Sequence, residues 1–112
     1  TSGATSNGTR AVVATNNAPS YTDKALDQIQ PASGGNSYGF GELSIGRYDG
    51  HGNSCLSNST RGFFPGGTTS NNVAAVIIDC ITFETEGTAV NFGDLQSGKM
   101  GYSSFSNAHG GL

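Results

Sequence analysis

Short apolar runs alternate with clusters of Gly, Ser, Thr and Asn along the chain, and this pattern predicts β-strands separated by turns. The segment 76–84 is the clearest case, because its apolar residues point to both faces, which is typical of a strand buried on both sides. No segment keeps apolar residues at spacings of three and four, so very low helix content is expected. The predicted strands are 11–14, 25–31, 38–43, about 49–55, 62–64, 76–84, 90–95 and about 101–105.

The chain contains the same motifs twice. The segment Ser6-Asn7-Gly8-Thr9-Arg10 returns as Ser57-Asn58-Ser59-Thr60-Arg61, and Phe40-Gly41-Glu42-Leu43 returns as Phe92-Gly93-Asp94-Leu95. Between residues 25 and 48 the spacing of the two copies stays constant at about 52 residues, a period typical of repeat architectures. We therefore predict a first β-repeat unit at 1–56, a second at 57–105, and the start of a third repeat at 106–112. That last segment is a candidate for strand exchange with a neighbouring molecule.

Composition indicates a chain that gains stability by packing against copies of itself. Its 112 residues include 18 Gly and no Trp, and 34% are hydrophobic, so two repeat units are expected to bury only a small core. The net charge is -3, and the five Lys and Arg residues are scattered, so they form no basic stripe for nucleic acid. No apolar run reaches the roughly 18 to 20 residues of a transmembrane helix. Neither nucleic-acid binding nor membrane insertion is therefore expected.

The second copy carries a family pattern made of five motifs. They are Ser57-Asn58-Ser59-Thr60-Arg61-Gly62, Gly66-Gly67, Ile78-Asp79-Cys80-Ile81-Thr82-Phe83, Glu86-Gly87-Thr88-Ala89 and Phe92-Gly93-Asp94-Leu95. In these motifs the chain resembles the kelch-like, β-propeller-type repeats of structural proteins (tail fibres and appendages) of environmental bacteriophages. The resemblance implies an all-β fold of two four-stranded, kelch-like antiparallel repeat units of the propeller-blade type, completed by oligomerisation. Propellers typically have about four to eight blades, so a homotrimer or a helical filament is the expected assembly.

Charged residues recur at equivalent positions of the two copies. Asp27 and Asp79 lie on apolar strands, and a buried carboxylate needs a partner that offsets its desolvation. Arg10 and Arg61 are likewise equivalent, so one Asp–Arg pair per repeat is expected, or else an Asp that accepts hydrogen bonds from turn amides. These residues are therefore expected to stabilise the repeat rather than carry chemistry.

The same structural role is expected for a second set of acidic residues and for two aromatic residues. Glu42 is expected to pair with Arg47, and the equivalent Asp94 is expected to pair with Lys99. The two phenylalanines are expected to be core residues. The full set of repeat-structural residues is Arg10, Arg61, Asp27, Asp79, Phe40, Phe92, Glu42 and Asp94.

No constellation of residues in the sequence predicts catalysis. His51 and His109 do not occupy equivalent repeat positions, and the loop 49–53 lacks the alternating acids of a calcium site. No Ser-His-acid or Cys-His arrangement follows from the spacing. An enzyme, a catalytic residue, a cofactor and a metal site are therefore not expected. Cys55 and Cys80 permit one disulfide or none, since a bridge needs Cα atoms within about 7 Å.

Both copies contain an N-glycosylation acceptor pattern, at Asn7 and at Asn58, in a turn expected to be exposed. The alternative is that Asn and Thr are present only to form the turn. The expected function is that of a self-assembling structural protein of a virion fibre or extracellular appendage, with a surface able to contact host glycans. One alternative is a carbohydrate-binding module; another is a glycosylated subunit of a cellular extracellular filament. The tyrosines available to stack on sugars are Tyr21, Tyr38, Tyr48 and Tyr102.

Overall fold

The regular elements are β-strands in a computed structural model that describes residues 3–14, 23–47, 55–69 and 73–106. Within those ranges there is no helix, and so none long and apolar enough to cross a membrane. The strands of the first half are β1 (Ala4–Ser6), β2 (Ala11–Ala14), β3 (Ala25–Ile29) and β4 (Tyr38–Glu42). Those of the second half are β5 (Leu56–Ser57), β6 (Arg61–Pro65), β7 (Thr68–Thr69), β8 (Val73–Ala74), β9 (Ile77–Thr82) and β10 (Val90–Asp94).

The strands form two four-stranded antiparallel sheets with the same connectivity. The first sheet has the order β1-β2-β3-β4, and the second has the matching order β5-β6-β9-β10. The pair β7-β8 is a separate two-stranded sheet inserted between β6 and β9. We call β1–β4 with the following loop to Arg47 unit 1, and β5–β10 with residues 95–106 unit 2. The all-β prediction with four-stranded sheets is confirmed.

The two sheets share a local irregularity that reflects the sequence repeat. Register is lost at one residue of β4, where Leu26 pairs with Gly41 and Asp27 pairs with Gly39, so that Phe40 is skipped. In unit 2 the register shifts in the same way between Asn91 and Gly93. A bulge redirects the side chain of the extra residue. Repetition of the sequence therefore extends to the bulge that orients one aromatic ring in each unit.

The fourth strand of each sheet lies in a different place from the one predicted. Residues 101–105 form no strand, so that prediction is wrong, and residues 49–54 lie outside the described ranges. The fourth strands are instead β1 and β5, which precede the Asn turn of each unit and pair back on β2 and β6. These strands are only three and two residues long, and such lengths give no apolar periodicity in the sequence.

A side-chain hydrogen bond closes the hairpin turn of each unit. The Oδ1 atom of Asn7 accepts hydrogen bonds from the amides of Thr9 (3.1 Å) and Arg10 (2.9 Å). Asn58 accepts the equivalent bonds from Thr60 (2.8 Å) and Arg61 (2.7 Å). Asparagine favours such turns because its side chain can bond the backbone two or three residues further on. The repeated Asn therefore has a structural role that is independent of any glycan.

The hydrophobic core lies between the two sheets. Alternate residues of β2 and β3 point toward unit 2, while Ala11, Val13, Asp27 and Ile29 lie on the outer face of unit 1 and are only partly buried or exposed. In unit 2, the side chains of β6 and β9 that face unit 1 are buried. The core residues are Val12, Ala14, Leu26, Phe40, Leu43, Phe64, Ile81, Phe83 and Ala89.

Candidate functional site

A buried ion pair joins the two units. Asp79 of β9 is fully buried, and its Oδ2 atom lies 2.7 Å from an Nη atom of Arg47, which is 3% exposed. Asp79 also accepts hydrogen bonds from the backbone amide (3.0 Å) and the hydroxyl (2.5 Å) of Ser44. A buried carboxylate is tolerated only when its desolvation is offset by such partners. Here all of those partners come from unit 1, so Asp79 is satisfied only when the units are in contact.

Arg47 is held by backbone acceptors as well as by the carboxylate. Its second Nη atom donates to the carbonyl oxygens of Phe64 (3.1 Å), Gly66 (2.8 Å) and Ile77 (3.3 Å). These three carbonyls lie at the ends of β6 and β9 in unit 2. A guanidinium group supplies several donors in a fixed planar arrangement, which suits simultaneous contact with a carboxylate and carbonyls. Arg47 therefore anchors the end of unit 1 on unit 2.

The pairing pattern predicted within each repeat is thereby corrected. Asp79 has an arginine and a turn amide as partners, but the arginine is Arg47 rather than the expected Arg61, and both partners belong to the other unit. The expected pair of Glu42 with Arg47 is not formed, because the arginine turns away from the exposed Glu42 and pairs with Asp79. Sequence proximity suggested the wrong partner, since the contact spans the junction between units.

At the other places where ion pairs were expected, the described residues contain none. Asp27 is half-buried, and its carboxylate accepts a hydrogen bond from the hydroxyl of Ser37 at 3.4 Å. Lys99 and Asp94 are exposed and do not pair with each other or with any other described residue. The predicted Asp94–Lys99 pair is therefore also wrong.

The two equivalent arginines of the Asn turns have different surroundings. Arg10 reaches from unit 1 to unit 2, where it donates to the carbonyl of Phe83 and lies 3.5 Å from the carboxylate of Glu86. Arg61 is exposed, and its guanidinium carbon lies 5.6 Å from the ring centre of Phe63 and 5.9 Å from that of Phe92. At equivalent positions, Arg10 thus contacts the neighbouring unit, whereas Arg61 packs over apolar rings of its own unit.

The backbones of the two units approach each other closely along β4. The amide of Gly87 donates to the carbonyl of Phe40 (2.9 Å), and the amide of Ala89 donates to the carbonyl of Glu42 (2.7 Å). A Cβ atom added to Gly41 would lie 2.0 Å from the carbonyl oxygen of Gly87. Gly41 is therefore required by the junction, whereas the equivalent Gly93 has no neighbouring atom within 4 Å of an added Cβ.

We expect Gly41→Ala to destabilise the chain by about 1 to 3 kcal/mol or more, because backbone must move to accept the methyl group. Gly93→Ala is the matched control, and it should leave the unfolding midpoint of the isolated chain nearly unchanged because the space is open. Urea unfolding followed by circular dichroism measures both. Equal losses for the two variants would show that an intrinsic preference of the strand, rather than the contact, requires glycine.

Unit 2 carries an open apolar groove on the face that points away from unit 1. It has a volume of about 420 Å³. The rings of Phe63 and Phe92 meet edge to face in it, with centroids 5.0 Å apart. The lining residues are Leu56, Phe63, Pro65, Ile78, Phe92, Leu95, Tyr102 and Ser104.

The groove is built from the repeat equivalents of the core. Phe63 and Pro65 of unit 2 correspond to the buried Val12 and Ala14 of unit 1 in the paired strands β6 and β2. The remaining correspondences, of Leu26 with Ile78, Phe40 with Phe92 and Leu43 with Leu95, follow from the constant repeat spacing. Unit 1 buries this face against unit 2, whereas in unit 2 only Pro65 of these residues is buried and the others are half-buried or exposed.

The two repeated phenylalanines illustrate the difference. Phe40 is 4% exposed and Phe92 is 57% exposed. The prediction that Phe92 is a core residue is therefore wrong for the single chain. The physical reason is that no further unit covers the groove in which this ring lies.

The last described residues lie against unit 2 as the start of unit 2 lies against unit 1. The hydroxyl of Ser57 donates to the carbonyl of Ser6 (2.6 Å), and the hydroxyl of Ser106 donates to the carbonyl of Ser57. Ser104 adds a hydrogen bond to the carbonyl of Cys55 (3.2 Å), and Tyr102 adds one to the carbonyl of Pro65. The interpretation of 106–112 as the start of a third repeat stays a prediction, and residues 107–112 lie outside the described ranges.

The cysteines are not joined to each other. Cys80 is in β9 and Cys55 precedes β5, and strand β6 lies between them. Two strand spacings place them roughly 10 Å apart, beyond the reach of a disulfide. Burial raises the pKa of the Cys80 thiol, Asp79 adds to this effect, and Arg61 opposes it. A thiol that stays protonated is a poor nucleophile and a poor metal ligand.

The remaining candidates for chemistry are not brought together in the described part of the chain. No cluster of three or more His, Cys, Asp or Glu residues suited to a metal occurs there. His51, His109, Tyr21 and Tyr48 lie outside the described ranges. The other two tyrosines are on different units, with Tyr38 exposed on β4 and Tyr102 in the groove. Comparison with known proteins adds no family, because no protein-family model and no curated protein matches this chain.

Proposed function

We propose that this chain is a self-assembling structural protein of a virion fibre or extracellular appendage, in which kelch-like, propeller-type repeat units are completed by association between molecules. The observation that carries the proposal is the open groove of unit 2. Its lining residues occupy positions whose equivalents in unit 1 are buried, and most of them are exposed or half-buried in unit 2, as with Phe92 and Phe63. An exposed apolar face of this kind marks an interaction site. A repeat unit cannot bury its apolar face alone, so another unit is the natural cover.

Two further features favour a structural role over catalysis. The ion pairs of the described residues, Arg47–Asp79 and Arg10–Glu86, both join the two units. The buried Cys80 also lacks the lowered pKa that a reactive thiol needs. The assembly itself, whether a closed homotrimer or a helical filament, is part of the proposal.

A carbohydrate-binding module is the second candidate function, and the same groove supports it. Phe63, Phe92 and Tyr102 present aromatic surface in an open depression, and aromatic faces can stack on sugar rings. Contact with host glycans would also be compatible with a fibre. The glycosylated cellular filament rests on Asn7 and Asn58, which are half-buried residues at equivalent turns. Mass spectrometry of both asparagines from the native source tests that version.

The experiment that tests the proposal is light scattering after size exclusion over a wide range of protein concentration, with negative-stain images of the same fractions. We expect mass to rise with concentration, ending either in a discrete closed oligomer or in an open polymer. A folded monomer at every concentration would contradict self-assembly. Such a monomer that also binds sugars on a glycan array would favour the carbohydrate-binding module instead.

A further inference from the structure

We infer that the occupant of the unit 2 groove is unit 1 of a second copy of this chain, docked head to tail and locked by an ion pair between Lys99 of one copy and Asp27 of the next. This inference rests on the proposed self-assembly and names the two surfaces that carry it. The contact between two copies would then use the repeat equivalents of the residues that join unit 1 to unit 2 within one chain. One face of unit 2 is covered by unit 1, and its opposite face carries the open groove. In unit 1 the open face is the outer one, which is the repeat equivalent of the covered face of unit 2.

The apolar part of the contact has a partner on the outer face of unit 1. The buried Gly62 and Ile81 of unit 2, which face unit 1, correspond to Ala11 and Ile29. Ile29 is 38% exposed, and Ala11 is half-buried. The outer face of unit 1 is thus partly apolar. It is the repeat equivalent of the face of unit 2 that packs on unit 1 within the chain.

The charges at the two open surfaces are complementary in the same way. Arg47 and Asp79 lock the internal junction, and their repeat equivalents are Lys99 and Asp27. Within the described part of the chain, neither Lys99 nor Asp27 forms an ion pair. Each surface therefore carries one half of the pair that the internal junction completes. Docking head to tail brings the two halves together.

The glycines supply independent support. Gly41 permits the close backbone approach at the internal junction, and its equivalent Gly93 is also a glycine. An added Cβ at Gly93 would meet nothing within 4 Å in the single chain, so the fold of that chain does not explain this glycine. A second backbone approaching β10 would explain it.

The edge strand β10 offers matching backbone acceptors. Phe92 and Asp94 occupy the positions of Phe40 and Glu42, whose carbonyls accept hydrogen bonds from unit 2. In the described ranges, no segment outside the sheet donates to the carbonyls of Phe92 or Asp94. The amides that would reach them from the second copy are those of Gly35 and Ser37.

Among the described residues, the trailing segment 104–106 is an element that the incoming copy must displace. Ser104 and Ser106 lie beside β5, at the place where the first strand of an incoming unit belongs. The segment is attached there through side-chain hydroxyls, and Phe105 between them is 94% exposed. The second copy therefore docks through β2, β3 and β4, and its β1 exchanges with this segment.

Charge reversal at the two positions tests the inference. Lys99→Glu and Asp27→Lys each place like charges at the head-to-tail contact, and each should raise the concentration needed for assembly about tenfold or more. An equimolar mixture of the two variants should assemble at a lower concentration than either variant alone, because every contact between unlike copies then pairs opposite charges. Analytical ultracentrifugation at a series of concentrations measures all three samples, and circular dichroism confirms that each variant is folded.

Two controls make the result specific. Lys24→Glu makes the same change in net charge as Lys99→Glu. It does so at an exposed residue of unit 1 that corresponds to no member of the buried pair, and the variant should assemble normally. Gly93→Ala should weaken assembly without lowering the unfolding midpoint. If the wild type assembles but both charge reversals assemble equally well, the head-to-tail contact is refuted while self-assembly stands. If the wild type remains a monomer throughout, the inference and the proposed function are both refuted.

Discussion

Arg47→Ala is expected to lower the free energy of unfolding by about 3 to 5 kcal/mol, because it leaves the fully buried Asp79 without a cation. Three backbone carbonyls of unit 2 lose a donor in the same substitution. Small domains are stable by only about 5 to 15 kcal/mol, so this loss is a large share of the total. Urea unfolding at a concentration where the chain is monomeric measures it.

Two further variants separate the ion pair from general effects of removing a cation. Lys99→Ala removes the equivalent cation of unit 2 and should change monomer stability little, because Lys99 is exposed and makes no ion pair in the described chain. Arg47→Lys keeps the charge but loses donors to carbonyls, and should cost about 1 to 3 kcal/mol. This variant also keeps the test valid if Arg47→Ala fails to fold. A loss as large for Lys99→Ala as for Arg47→Ala would contradict the assignment of the buried pair.

Phe40→Ala has the second largest expected effect, a loss of about 3 to 5 kcal/mol of unfolding free energy. The ring is 4% exposed and packs in the core shared by both sheets, so its removal leaves a cavity between the units. Thermal and urea unfolding of the monomer measure the loss. A cooperative transition that keeps its denaturant slope would show that the whole chain, rather than one unit, is affected.

Phe92→Ala is the matched comparison, because this residue is the repeat equivalent of Phe40 and is 57% exposed. It should cost the monomer less than about 1 kcal/mol, since most of the ring already contacts solvent. In the assembled state a further unit covers the groove, and there Phe92→Ala should weaken assembly. Equal destabilisation of the monomer by both substitutions would mean that the groove is closed within one chain.

Much of the strand content was predictable because apolar runs of four or more residues carry a clear pattern. The predicted strands near β2, β3, β4, β6, β9 and β10 are confirmed, with ends that differ by at most two residues. The short strands β1 and β5 were missed, along with β7 and β8. The Asn turn could have revealed β1 and β5, since a hairpin turn followed by a strand requires a paired strand before it.

The charged contacts were harder to predict than the strands. Asp27 and Asp79 are identical in the repeat, yet only Asp79 is buried with a partner. Likewise, Arg47 and Lys99 are equivalent cations, yet only Arg47 is buried in an ion pair. Equivalent sequence predicts equivalent local structure, but burial depends on whether a neighbouring unit is present. A chain of two units has one internal junction, so several positions that are buried there in one unit are more exposed in the other, as with Phe40 and Phe92.

By itself, the sequence determined the repeat, the all-β class, the approximate strands and the turn-forming role of Asn7 and Asn58, because these depend on local spacing and local hydrogen bonds. Only the tertiary structure decided that Arg47 pairs with Asp79, that Phe40 is core while Phe92 is exposed, and that Gly41 faces another backbone. These features depend on which residues of the two units, far apart along the chain, come into contact. Their physical cause is the packing of one sheet on the next, which no local pattern in the sequence records.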